Sequence, residues 1–198
     1  MKKVIGVVLT LLFASTVTAG DAAKGKEKTG VCAGCHNADG NSALAINPKL
    51  AGQSAKYLAK QLHDFKSGAR DNATMKPMAA MLSDEDIENV SAYYASQKVQ
   101  HMAVEEQFIK PGELLYRNGD ADRDIPACIA CHGPNGNGMS AAGFPALGGQ
   151  HADYTKAQLL AFRDGLRNND ANNVMRDVVR KMSDEQIETI SKYLAGLH

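Results

Sequence analysis

The sequence predicts an all-α protein made of two similar halves in tandem, and three observations lead there. A Cys-x-x-Cys-His motif occurs twice, 96 residues apart, as Cys32-Ala33-Gly34-Cys35-His36 and Cys128-Ile129-Ala130-Cys131-His132. The stretches downstream of the two motifs also match. Adding 97 to Pro48–Arg70 gives Pro145–Arg167 with 11 of 23 positions identical, and adding 100 to Ser83–Lys98 gives Ser183–His198 with 8 of 16 identical, so both halves share one design. Apolar positions recur at helical spacing between Gly- and Pro-containing loops, with few β-branched runs of strand length.

Each segment carries its own signal along the chain. Lys2 and Lys3 precede an apolar run from Val4 to Ala14, and Val17-Thr18-Ala19 offers small residues for cleavage, the pattern of a secretory signal removed before Gly20. That run is shorter than the roughly 20 residues that span a bilayer. The mature chain is therefore expected in the periplasm, with no transmembrane span. It divides into Gly20–Val104 and Glu105–His198, with Pro111-Gly112 introducing the first helix of the second half. Tyr57-Leu58-x-x-Gln61-Leu62-x-x-Phe65 and its counterpart Tyr154, Leu159, Phe162 form middle helices that stop at Gly68 and Gly165. Ser83 and Ser183 cap the last helices, acidic residues fill the first turns, and Gln186 completes a capping box with Ser183. On those helices Ile87, Val90 and Tyr94 answer Ile187, Ile190 and Leu194 as core positions.

Composition narrows the function. The 22 Lys+Arg balance 22 Asp+Glu, which excludes an electrostatic nucleic-acid binder. With 6% aromatic residues and no Trp, the chain has few large side chains for two small cores, so something else must help fill them. The cysteine motifs supply it. Two thiols one helical turn apart can each form a thioether to a haem vinyl group, and the adjoining imidazole can then coordinate the iron. A zinc site or a pair of disulfides explains neither histidine, and the 92 residues between Cys35 and Cys128 argue against one shared ion. Two covalently attached haem c groups are expected, held by Cys32, Cys35 and His36 and by Cys128, Cys131 and His132.

The second axial ligand decides function, because a closed coordination sphere carries electrons while an open one admits a substrate. Met75 and Met175 each lie eight residues before the capping serine, and no other methionines pair in this way. Met78, Met81 and Met182 are read as gap-filling core residues. Histidine fails the same test, since His63 faces Leu160 and His151 faces Ser54 in the repeat. The metal ligands expected are His36 with Met75 and His132 with Met175.

These motifs, with Asp39-Gly40-Asn41-Ser42, Pro48-Lys49-Leu50-Ala51-Gly52-Gln53 and Gly143-Phe144-Pro145-Ala146-Leu147-Gly148-Gly149-Gln150, make the chain resemble the dihaem cytochrome c4 family from about Gly20 to His198. The resemblance implies two class I cytochrome c domains related by a pseudo-twofold axis. It implies that the Pro48 and Pro145 carbonyls accept the Nδ1 protons of His36 and His132. It further implies a monomeric electron carrier, free or loosely membrane-associated, with a cytochrome bc complex as donor and a haem-copper terminal oxidase as acceptor. Two other readings compete: a dihaem subunit of a larger dehydrogenase complex, and a dihaem peroxidase, which a methionine in register in both halves argues against.

Overall fold

The structure, a computed structural model, describes residues 20–198; the export signal expected over residues 1–19 lies outside the described residues. The first half contains α1 (Ala22–Lys28), α2 (Gly30–His36), α3 (Ala55–Ser67), α4 (Met75–Ala80) and α5 (Asp84–Ala95). The second half repeats that order as α6 (Glu106–Asn118), α7 (Ile129–His132), α8 (Ala152–Arg163), α9 (Val174–Val179) and α10 (Asp184–Gly196). Among the described residues the remaining regular structure is three short 3-10 turns and two isolated bridges, Asp120 with Ile125 and Met139 with Phe144. The all-α expectation holds.

In each half the first helix crosses the last, α1 on α5 and α6 on α10. A glycine permits each crossing. A Cβ on Gly25 would stand 2.0 Å from the Asn89 carbonyl oxygen, and one on Gly112 would stand 2.3 Å from Tyr193 Cβ. This corrects the expectation that Pro111-Gly112 introduces a helix: α6 begins at Glu106 and runs through Pro111. The proline removes one ladder bond, yet the helix continues because Gly112, Leu115 and Tyr116 are buried against its neighbours.

The middle and last helices follow the repeat. Gly68 adopts φ +84° at the end of α3, and Gly165 adopts φ +74° just beyond α8. Both last helices start with a capping box. Gln186 completes the second as expected, and Asp86 does the same in the first, accepting from Ser83 N at 3.2 Å while Ser83 Oγ accepts from Asp86 N at 3.1 Å. Ile87, Val90, Tyr94, Ile187, Ile190 and Leu194 are all buried. Of the methionines expected in the core, only Met182 is there; Met78 and Met81 lie at the surface, 36% and 60% exposed. The reason is the size of α4, a six-residue helix that buries Ala79 alone.

The connection between the halves, residues 96–105, is not a loose tether. Gln100 N donates to Asn41 Oδ1 at 2.9 Å in the first half, and Met102 N donates to the Ala195 carbonyl at 2.9 Å in the second.

Candidate functional site

Both motif histidines end short helices and are buried. His36 Nδ1 lies 2.9 Å from the Pro48 carbonyl oxygen, and His132 Nδ1 lies 2.9 Å from that of Pro145. A carbonyl only accepts, so Nδ1 carries the proton and Nε2 keeps its lone pair for a metal. Burial lowers the pKa of both rings, outweighing the proline hydrogen bonds that raise it, which favours the neutral imidazole that coordination requires.

The four cysteines are unpaired, so no disulfide competes. Burial raises the Cys32 thiol and pushes that of Cys128 up to about 11. Among the described residues no group of three or more His, Cys, Asp and Glu side chains converges to hold an ion.

Several observations fit a large apolar group with polar edges. In the second half Cys128, Ile129, Leu147, Leu159 and Met175 pack on one cluster with Phe162, Ile187 and Leu194. In the first half the Tyr94 hydroxyl is buried without a hydrogen-bond partner, and burial raises its pKa, with Cys32 adding to the effect. Met75 and Met175 occupy the same place in each half, half-buried in the first turn of α4 and at the second residue of α9. His151 is engaged elsewhere: its Nε2 lies 2.8 Å from the Ser42 carbonyl oxygen of the other half.

Sequence reasoning missed the contacts that join the two sites. Gln150 receives Lys49 N at 2.8 Å and donates to the Lys49 carbonyl at 2.9 Å; Gln53 receives Ala146 N at 2.8 Å and donates to the Ala146 carbonyl at 2.9 Å. Lys49 and Ala146 directly follow Pro48 and Pro145. Each histidine's carbonyl acceptor is therefore braced from the opposite half, in the reciprocal manner of a twofold interface. Both glutamines stand among the repeated residues, which was the available signal.

Comparison with known proteins assigns the family. The cytochrome c family profile matches residues 22–98 and again 109–198. Over 199 residues the chain is 45% identical to cytochrome c4 of Pseudomonas aeruginosa, covering 100% of this chain and 99% of that one. The chain belongs to the cytochrome c4 family. The crystal structure of reduced recombinant cytochrome c4 from Pseudomonas stutzeri superposes with a TM-score of 0.88 at 47% identity, covering 91% of this chain and 100% of that one. A thiosulfate dehydrogenase electron acceptor of Stutzerimonas stutzeri is 44% identical over 170 residues, 84% of this chain and 78% of that one. As a cytochrome c4 family member the chain has two tandem cytochrome c domains with two covalent haem c groups, and it is an electron carrier rather than an enzyme.

Proposed function

We propose that the chain carries electrons in a periplasmic respiratory chain, from a quinol-oxidising cytochrome bc complex toward a haem-copper terminal oxidase. In this reading residues 1–19 are removed on export, and Gly20–Val104 and Glu105–His198 are the two haem units. Cys32 and Cys35, and Cys128 and Cys131, form the thioethers; His36 with Met75 and His132 with Met175 hold the irons. The observation that carries the reading is the matched pair of His–Pro bonds, 2.9 Å in each half, with a methionine in the same register beyond each.

When bound, each haem supplies a one-electron ferric/ferrous couple. The chain's own residues do the rest: Pro48 and Pro145 fix the tautomer and direction of the imidazoles, and Gln150 and Gln53 brace those prolines from across the interface. A histidine and a methionine together leave a substrate no open position.

The Stutzerimonas relative supports a second reading, acceptance of electrons from a dehydrogenase partner. Stopped-flow reduction of the purified holoprotein separates the two. Fast reduction by a cytochrome bc complex, followed by oxidation by a haem-copper oxidase, supports the respiratory route. Fast reduction by a thiosulfate dehydrogenase with none by the bc complex sinks it in favour of the second.

A further inference from the structure

The chain around the two histidine–proline contacts is repeated closely, and one buried charge breaks the repeat. Pro48-Lys49-Leu50-Ala51-Gly52-Gln53 answers Pro145-Ala146-Leu147-Gly148-Gly149-Gln150. Lys49 is 6% exposed, the only buried lysine among the described residues, and Ala146 stands in its place in the second half. The buried guanidiniums, Arg70 and Arg167, belong to the repeat and so occur in both halves. The Lys49 ammonium occurs once.

Its backbone and its side chain are both held. Lys49 N donates to Gln150 Oε1 at 2.8 Å, its carbonyl accepts from Gln150 Nε2 at 2.9 Å, and its Nζ donates to the Gln100 carbonyl in the connection between the halves. Gln100 is tied in turn to the loop after His36. Its N–H donates to Asn41 Oδ1 at 2.9 Å, and the Asn41 carbonyl accepts from Asn37 Nδ2 at 2.6 Å. The ammonium therefore belongs to the histidine side of the first site, carried by the residue after Pro48 and bonded to a segment anchored on the loop after His36.

Neighbouring charges do not cancel it. Burial lowers the Lys49 pKa, and among the described residues no carboxylate acts to raise it. Asp39 lines the same open groove as Lys98, Gln100 and His101, but it is exposed, and its carboxylate accepts from Asn41 N and Nδ2, both at 3.0 Å. Lys98, His101 and His198 are exposed as well. Water and salt screen those charges, whereas a buried ammonium acts through protein of much lower dielectric. His101 feels it: burial lowers the pKa of that ring, and His198, Lys49 and Lys98 lower it further.

We propose that Lys49 is a fixed charge that raises the reduction potential of the first iron, a contribution the second iron lacks because Ala146 stands in the matching place. This rests on the reading of two haems with histidine and methionine ligands. A positive charge held near an iron favours the state that carries one electron more.

The test is a spectroelectrochemical titration of the holoprotein with soluble mediators at fixed pH and ionic strength, which reads both potentials without any protein partner. Lys49→Gln removes the charge and keeps a donor for the Gln100 carbonyl. It should lower one potential, the same one that Met75→Leu lowers, and leave the other. A unit charge about 10 Å away in an effective dielectric near 20 changes a one-electron equilibrium on the order of tenfold, which bounds the shift. Lys49→Arg should restore the wild-type value. Ala146→Lys, at a half-buried position, should raise the other potential by a smaller amount. If Lys49→Gln lowers thermal stability while both potentials stay wild-type, the lysine only pins the connection between the halves and the proposal is overturned. A fall in both potentials, or only in the one that Met175→Leu lowers, also overturns it, because the charge then does not belong to the first iron. Should Lys49→Gln fail to fold, Ala146→Lys decides alone: a raised second potential supports the proposal, and an unchanged pair rejects it. The Met-sulfur charge-transfer band of the wild type reports separately on the ligand reading, which fails if that band is absent whatever the lysine does.

Discussion

His36 and His132 meet their proline carbonyls over the same 2.9 Å, and both prolines are braced by a glutamine from the opposite half. The methionine loops are pinned by different chemistry. Four residues separate Arg70 from Met75, and Asn72 Oδ1 receives Thr74 N at 3.0 Å and Met75 N at 2.8 Å, a neutral, exposed cap. Seven residues separate Arg167 from Met175, and there Asp170 receives Arg176 N at 3.0 Å and Arg176 Nε at 2.8 Å. The three extra residues bring Asn172 and Asn173 to φ +54° and +61°, a left-handed conformation that asparagine tolerates better than most side chains. In the proposed reading, in which Met75 and Met175 hold the irons, this loop is a place where the two sites differ while their histidine–proline contacts match.

The largest expected effect is at the methionines themselves. Met75→Leu and Met175→Leu should each remove about half of the Met-sulfur charge-transfer band and lower one potential, as loss of a thioether ligand does. Met78→Leu should leave the whole band. A Met78→Leu protein lacking half of it would show that the repeat register misassigned the first-half ligand.

Next comes the brace on the histidine side. Gln150→Ala leaves the Lys49 N–H and C=O without their partners, a cost of about 1–3 kcal/mol. Thermal unfolding should show that loss, and electron exchange between the haems should slow. Unchanged exchange with unchanged stability would mean that the glutamines do not set the docking. Gln53→Ala should match it, because the two braces are equivalent.

The loops should separate in acid. Burial raises the Asp170 carboxyl, but its bonds to Arg176 outweigh that and hold it below the ordinary carboxylate value. A group depressed on folding stabilises fully above its unfolded value of about 3.9 and loses that contribution as pH falls through the folded value. Below about pH 4 the Met175 share of the band should therefore fade before the Met75 share, because Asn72 does not titrate. Asp170→Asn should mimic this at neutral pH, costing about 2 kcal/mol for its charge-assisted bonds. Simultaneous loss of both shares would show the two loops to be equally held.

The smallest effect is long-range. Gly20–Val104 carries 10 basic and 9 acidic residues and Glu105–His198 carries 10 and 13, formal charges of +1 and −3. A small cationic reductant should favour the second haem at low ionic strength and lose that preference as salt is added. Equal rates at both haems at every salt concentration would leave charge no part in telling the halves apart.

The local signals stand in the sequence: Cys32, Cys35 and His36 mark themselves by type and spacing, the His36–Pro48 contact joins two repeated positions, and Met75 is proposed from the register that the second copy supplies. The contacts that span the halves were not legible. Tyr57, Gln61, Gln53 and Arg70 are all repeated at 97-residue spacing, yet helical periodicity presents Tyr57 as a core residue and says nothing of Arg167 across the interface. Pro111 misled for a related reason. Read along the chain it breaks a helix, whereas the need for Gly112 beside it exists only once Tyr193 is packed there. The first capping box escaped because Asp86 stands where Glu or Gln is usual.

The three-residue insertion before Met175 sits between two frames that the halves otherwise share, the arginine at 70 and 167 and the capping serine at 83 and 183. A doubled molecule with perfect internal symmetry has no head or tail, and an electron resting on it would have no reason to prefer either end. Here the repetition supplies the body twice over, and a few residues in one loop are enough to give it a polarity. Asn169, in the lengthened loop, reaches back to Gln61 of the other half at 2.9 Å. The asymmetry is thereby anchored on the axis it breaks, and duplicated chains of this kind can acquire direction by altering one short loop while leaving everything that holds them together in place.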